Sequence, residues 1–231
     1  MKKNVMMRVA SVLLVAVLMS TCVISGTFAK YTTAADATDT ARVAKWGVQI
    51  TTSSEIFKES YATTDTATAG NEITNSVQVD TAGTNVVAPG TDNSVEFSVT
   101  GTPEVAVEVT FDFTVNSDVV IPSGTEIAVD GTTLQDNYTP VVFTLKKGNE
   151  TLATGTLAQI KAVFDGLDEV FEPNTNLGTE LGTYTLSWEW TFEGNDVADT
   201  YLGNVAAETV DDDDTKTNID FKFDITVTQI D

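Results

Sequence analysis

Beyond position 43 the chain is organised by alternation of apolar and polar residues. Across 104–115, Val105, Val107, Val109, Phe111, Phe113 and Val115 share one face, while Glu108, Thr110, Asp112 and Thr114 point the other way. A period of two held over that length predicts a half-buried strand. The same pattern sets Val95, Phe97 and Val99 on one face of 94–100, with Gly101-Thr102-Pro103 as the intervening turn. Residues 184–192 alternate with Tyr184, Leu186, Trp188, Trp190 and Phe192 together, and 219–230 with Ile219, Phe221, Phe223, Ile225 and Val227 together. Shorter strands are expected at 44–50, with Ala44, Trp46, Val48 and Ile50 on one face, at 76–79 and, weakly, at 56–61. Residues 141–145 and 150–154 flank Lys146-Lys147-Gly148-Asn149, a hairpin signal.

The period changes once. Thr156 with Gln159 has the spacing of a capping box, and Leu157, Ile160, Val163, Phe164 and Leu167 follow at helical spacing. One short helix is expected there. The rest of 51–75, the Ala88-Pro89-Gly90-Thr91 turn and 173–182 are expected as loops. Short alternating strands joined by turns predict an all-β, antiparallel sandwich with one inserted helix.

The first 50 residues follow another logic. Lys2, Lys3 and Arg8 precede an apolar run over 9–24, and Gly26-Thr27-Phe28-Ala29 closes it with small residues at 27 and 29. A basic start, a short apolar stretch and such an ending match a secretory signal better than a spanning anchor. Lipidation at Cys22 fits less well, because Thr21 precedes it and the run continues through Val23 and Ile24. The expected cleavage lies between Ala29 and Lys30. It divides the chain into a helical signal peptide (1–29), an extended arm (30–42) and a sandwich domain (43–231). The membrane is then met only through the signal segment before cleavage, and the mature protein is secreted to the extracellular space or cell surface.

Composition narrows the chemistry. The chain carries a formal net charge of −22, and removing the three basic residues of the signal, which has no acidic ones, takes it to −25. Phosphate backbones need a positive field, so nucleic acid is not an expected partner. Histidine is absent and the single Cys lies in the signal. Ser-His, Cys-His and disulfide chemistry are thereby excluded from the mature domain.

Candidate chemistry is left to carboxylates and aromatics. Asp211–Asp214 with Glu208 and Asp220, and the loop from Glu193 to Asp199, carry oxygen ligands of the kind calcium takes. The regular loop spacing of a calcium site is missing, and a solvated acidic loop is the simpler reading. Trp188, Trp190 and Phe192 suggest a sugar-stacking platform, but their shared face favours core packing. Glu108 with Asp112, or Glu189 with Glu193, resemble glycosidase pairs, yet alternating carboxylates are ordinary on a solvated strand face. Asn137-Tyr138-Thr139 and Asn149-Glu150-Thr151 match the short glycosylation pattern. No catalytic residue is assigned, and no cofactor beyond possible calcium is expected.

The ending Gly26-Thr27-Phe28-Ala29, the arm with Asp36-Ala37-Thr38, the segment 43–50 and the Val87-Ala88-Pro89-Gly90-Thr91 turn feeding 95–100 and 105–115 resemble the TasA/camelysin family. The segments 188–196 and 199–204 resemble relatives in anaerobic Gram-positive bacteria. The resemblance implies a signal removed by a SipW-type signal peptidase, a jelly-roll sandwich and assembly into biofilm matrix fibres. It implies that the freed N-terminus adds as a strand to the next subunit, by β-augmentation. The donor would lie in Lys30, Tyr31, Thr32, Thr33, Ala34 and Ala35, with Tyr31 as anchor. The partners would be further copies of the chain or related matrix subunits. The alternative reading is a monomeric cell-surface module binding calcium or a glycan. The peptidase label of camelysin-type members does not transfer, because there is no His-Glu-x-x-His motif.

Overall fold

The computed structural model describes residues 5–24, 41–53, 55–62, 74–79, 85–127, 131–208 and 217–231. The chain divides into two compact units, Met1–Arg42 and Val43–Asp231. In the first, the apolar run forms one helix, α1 (Val5–Ile24), whose sequence contains no Gly or Pro to interrupt it. The expected cleavage pair Ala29 and Lys30, and the arm residues Tyr31, Thr32, Thr33, Ala34 and Ala35, lie outside the described residues, as do Asp211–Asp214.

The second unit is mostly β. In chain order its elements are β1 (Gln49–Thr52), β2 (Ser60–Ala62), β3 (Asn75–Gln78), β4 (Thr91–Thr100), β5 (Val107–Ser117), β6 (Glu126–Ile127), β7 (Thr132–Thr133), β8 (Val141–Lys147), β9 (Glu150–Gly155), α2 (Leu157–Phe164), β10 (Glu169–Phe171), α3 (Leu177–Leu181), β11 (Thr183–Trp190), α4 (Asp196–Glu208) and β12 (Asp220–Gln229). One antiparallel sheet has the order β1-β4-β11-β8-β9 and a second has β10-β5-β12; β2-β3 and β6-β7 form two small pairs.

The period-two faces meet in one core. Val95, Phe97 and Val99 of β4, Phe143 and Leu145 of β8, and Tyr184, Leu186 and Trp188 of β11 are buried from the larger sheet. Val107, Val109, Phe111 and Phe113 of β5 are buried from the smaller one. Aromatic contacts run between the sheets: Phe97 to Phe223 at 5.2 Å, Phe111 to Tyr184 at 5.6 Å and Phe143 to Phe221 at 5.8 Å between ring centroids. Two antiparallel sheets facing across a shared apolar layer are compatible with an all-β sandwich. Phe164 of α2 is fully buried and packs on Phe97, Phe111 and Phe113, so the predicted helix is part of this core. Its capping box is formed by Thr156 and Gln159.

The connection from β4 to β5 crosses between the two sheets instead of closing a hairpin. Gly101 has φ +127° there, and a Cβ on it would run into the backbone of Gly47. Only glycine suits both demands. The predicted hairpin is present as β8–β9, tightened to Gly148-Asn149 between the paired residues Lys147 and Glu150, with Gly148 at φ +56°.

Three expectations are corrected. The strand at 44–50 begins only at Gln49; before it, Gly47 has φ +58° and Lys45 exchanges hydrogen bonds with Glu104, its N–H donating to the carboxylate and its carbonyl accepting from the Glu104 N–H. The segment is tied to the connection instead of a ladder. The expected loop 173–182 contains α3, started by the Asn176 side chain accepting from Thr179 N–H. The expected loop after Trp190 leads into α4, so among the described residues of this unit the inserted helix at 157–164 is accompanied by two others.

Candidate functional site: the open edge of the smaller sheet

A two-sheet arrangement has four outer edges, and each carries backbone groups that need partners. The edge at β1 is four residues long. The edge at β9 is six residues long, and α2 packs beside it. At the third edge, β10 pairs with β5 only over Val107–Val109. Beyond that point side chains take over. Asp168 Oδ1 accepts from Phe111 N–H at 2.8 Å, Asp165 Oδ1 accepts from Phe113 N–H at 2.8 Å, and Lys161 Nζ donates to the Phe113 carbonyl. Lys161 and Asp165 are themselves paired at 2.6 Å, i to i+4 along α2 and its cap. Three side chains thus imitate the missing strand and blunt this edge.

Among the described residues, the fourth edge, β12, has no such cover. It runs for ten residues and pairs with β5 from Asp220 to Gln229, and no strand lies on its other side among the described residues. Ile230 N–H donates to Ala106 O at the end of the same ladder. In an antiparallel ladder alternate residues turn both backbone groups to the same neighbour. The even positions of β12 therefore bond to β5, and the N–H and C=O groups of Phe221, Phe223, Ile225 and Val227 face outward. The side chains of these residues point to the core yet remain half-buried, whereas Phe113, Phe111 and Val109, which face Phe223, Ile225 and Val227 on β5, are buried. The difference is a missing neighbour: one more strand beside β12 would complete both the ladder and the apolar layer. Phe-Lys-Phe-Asp-Ile-Thr-Val-Thr is also rich in aromatic and β-branched residues and has no Pro.

The other candidate residues fall elsewhere. Trp188 and Trp190 are buried, as core packing requires, while Phe192 is 66% exposed and lies against Gly90. Trp188 Nε1 donates to Ile56 O at 2.8 Å and its ring meets Phe57 and Tyr61, which fastens the 55–61 segment over the inner face of β11. Glu108 and Asp112 lie four residues apart on one strand, about 13 Å along it, which is outside the carboxyl separation of glycosidases. Asp199, from the expected oxygen loop, is taken up as a structural acceptor. Tyr138 Oη donates to its Oδ1 at 2.6 Å and Trp190 Nε1 donates to the same oxygen at 3.1 Å. Burial, and then the Asp199 carboxylate, push the Tyr138 phenol well above its ordinary range. Asp199 and Trp190 border a cavity of about 150 Å³ lined also by Val87, Pro89, Val119 and Leu202. Asp220 accepts from Asn116 Nδ2 at 3.0 Å. Among the described residues no cluster of three or more His, Cys, Asp or Glu is placed to hold a metal.

The sequence pattern located β12 but did not show it as an edge. Its polar face carries Asp220, Lys222 and Asp224, charges of the kind edge strands use, but β5 carries Glu108 and Asp112 as well, so only the pairing tells the two apart. No protein-family model and no curated protein sequence matches the chain.

Proposed function

We propose that this chain is an exported structural subunit of an extracellular, biofilm-type matrix fibre, and that β12 accepts a strand from a neighbouring subunit. In this reading the two sheets form a jelly-roll sandwich, cleavage after Ala29 by a SipW-type peptidase frees residues 30–41, and that arm pairs with β12 of the next copy. The observation that carries the reading is the ten-residue open edge with half-buried apolar side chains, next to edges that are short or blunted. The TasA/camelysin resemblance supports export and polymerisation.

An extended arm would turn alternate side chains to the apolar layer. Tyr31, Thr33, Ala35 and Ala37 alternate along it, placing mostly small side chains beside the rings of Phe221 and Phe223. Affinity would rest on backbone hydrogen bonds, each worth about 0.5–1.5 kcal/mol net. Head-to-tail addition does not close on itself, so it propagates a filament.

The test is deletion of residues 30–41 from the mature protein, followed by electron microscopy under conditions where the intact mature protein polymerises. Loss of filaments is the expected result. Filaments that persist without the arm refute arm donation. A mature protein that stays monomeric throughout and binds calcium or glycans supports the cell-surface binding module instead.

A further inference from the structure

The open edge of β12 is complementary to itself. Two copies can pair along it in an antiparallel manner about a two-fold axis, extending the smaller sheet across the pair. The apolar faces of both copies stay on one side only if the paired residue numbers sum to an even value. Charge then selects among the remaining registers. With the axis at Phe223, Lys222 opposes Asp224 of the second copy, and Asp224 opposes Lys222 of the second copy. Moving the axis to Lys222 sets Lys222 against Lys222 and Asp220 against Asp224. Moving it to Asp224 sets Asp224 against Asp224, and moving it to Phe221 pairs Lys222 with Asp220 but leaves Asp224 opposite Asn218, without a cation. Registers further toward the C-terminus set no opposite charges together, because residues 225–230 carry none.

A second observation points the same way. Within one copy, Asp224 lies directly across from Asp112 of β5, a like-charged cross-strand pair. Lys222, at 2.6 Å, is the one cation in contact with Asp224 among the described residues. In the register centred on Phe223, the row across the joined sheet reads Asp112, Asp224, Lys222 of the second copy, then Thr114 of the second copy. Each crowded carboxylate gains a cation on its open side. The even-numbered pairs at this edge are non-hydrogen-bonded ones, where side chains approach most closely. The odd-numbered residues meanwhile spend their outward N–H and C=O groups on about six bonds across the axis between Phe221 and Ile225. Phe223 meets Phe223 of the second copy, covering the rings left half-buried in a single subunit.

We infer that this protein forms a two-fold dimer through β12–β12 pairing centred on Phe223, with reciprocal Lys222–Asp224 ion pairs setting the register. One consequence rests on the function proposed above: the dimer occupies the edge that a donor arm needs, so it is a resting form that must open before a filament grows. The dimer itself does not depend on that function.

The experiment is sedimentation velocity on the mature protein, its arm-deleted form, and the variants Lys222→Asp and Asp224→Lys. Both substituted side chains are solvent-exposed, and circular dichroism confirms that each variant is folded. The mature and arm-deleted proteins are expected to dimerise alike. Each variant alone faces like charge across the axis and is expected to dimerise at least about ten-fold more weakly. An equimolar mixture of the two variants sets Asp against Lys at both positions and is expected to recover a heterodimer. Variants that dimerise as well as the parent overturn the inference, as does a mixture that stays monomeric or a parent that is monomeric up to roughly 100 µM. Dimers that vanish with the arm overturn the inference and leave arm donation standing. Filaments that persist without the arm overturn arm donation and leave the dimer standing.

Discussion

Replacing Asp168 with Ala removes a strand imitation and leaves its consequence measurable. The Phe111 N–H, which now donates to Asp168 Oδ1 at 2.8 Å, loses its partner on a residue whose side chain is buried. An unpaired amide in such a place costs about 1–3 kcal/mol. The carboxylate itself is exposed, so water can partly replace it, and the expected loss is about 1.5 kcal/mol. Asp168→Asn keeps a carbonyl acceptor and loses only the charge assistance, so it is expected to cost roughly 0.5 kcal/mol. Adding Asp165→Ala orphans Phe113 N–H as well and releases Lys161, for a combined loss of about 3 kcal/mol. Urea unfolding of the mature protein measures these values. With a slope near 2 kcal/mol/M, the single Ala variant lowers the midpoint by about 0.7 M. Amide exchange at Phe111 accelerates in parallel. An Ala variant within about 0.3 kcal/mol of the parent, or an Asn variant as damaged as the Ala one, refutes the claim that a side chain stands in for a strand at this edge.

Trp188→Phe removes the indole donor from the Ile56 carbonyl and is expected to cost about 1–2 kcal/mol by urea unfolding, with the 55–61 segment exchanging its amides faster. Phe223→Ala strips ring contacts with Phe97 and Phe164 and is expected to cost about 2–3 kcal/mol, at the low end for Phe because the side chain is only half-buried. Burial raises the phenols of Tyr61, Tyr138 and Tyr184 above their ordinary value of about 10. The folded state then holds those protons more tightly than the unfolded one, so stability is full below pH 10 and falls as pH rises past it. Unfolding at stepped alkaline pH should show this slope, and Tyr138→Phe should flatten it.

The fold was legible where burial is one-sided. Val107, Val109, Phe111 and Phe113 are buried while Asp112 and Thr114 are exposed, and that contrast is written in the residues themselves. It was illegible where the pattern is short or weak. β10 spans three residues and β6 two, too few for a period to register. α4 hides behind Gly203 and a polar surface, although Ala198 and Leu202, both buried, stand at helical spacing. The segment 44–50 alternates like a strand, but Gly47 turns the chain before a ladder can form. The candidate site needed topology: alternation makes 219–230 a strand, whereas pairing alone shows that only one of its sides is taken.

Cryo-electron microscopy of filaments grown from the secreted protein tests directly whether a neighbour's N-terminal arm completes the sheet at β12. Residues 30–41 of one subunit are expected as an added strand along β12 of the next, hydrogen-bonded to Phe221, Phe223 and Ile225. A filament in which β12 is bare, or in which the arm lies on another edge, contradicts arm donation.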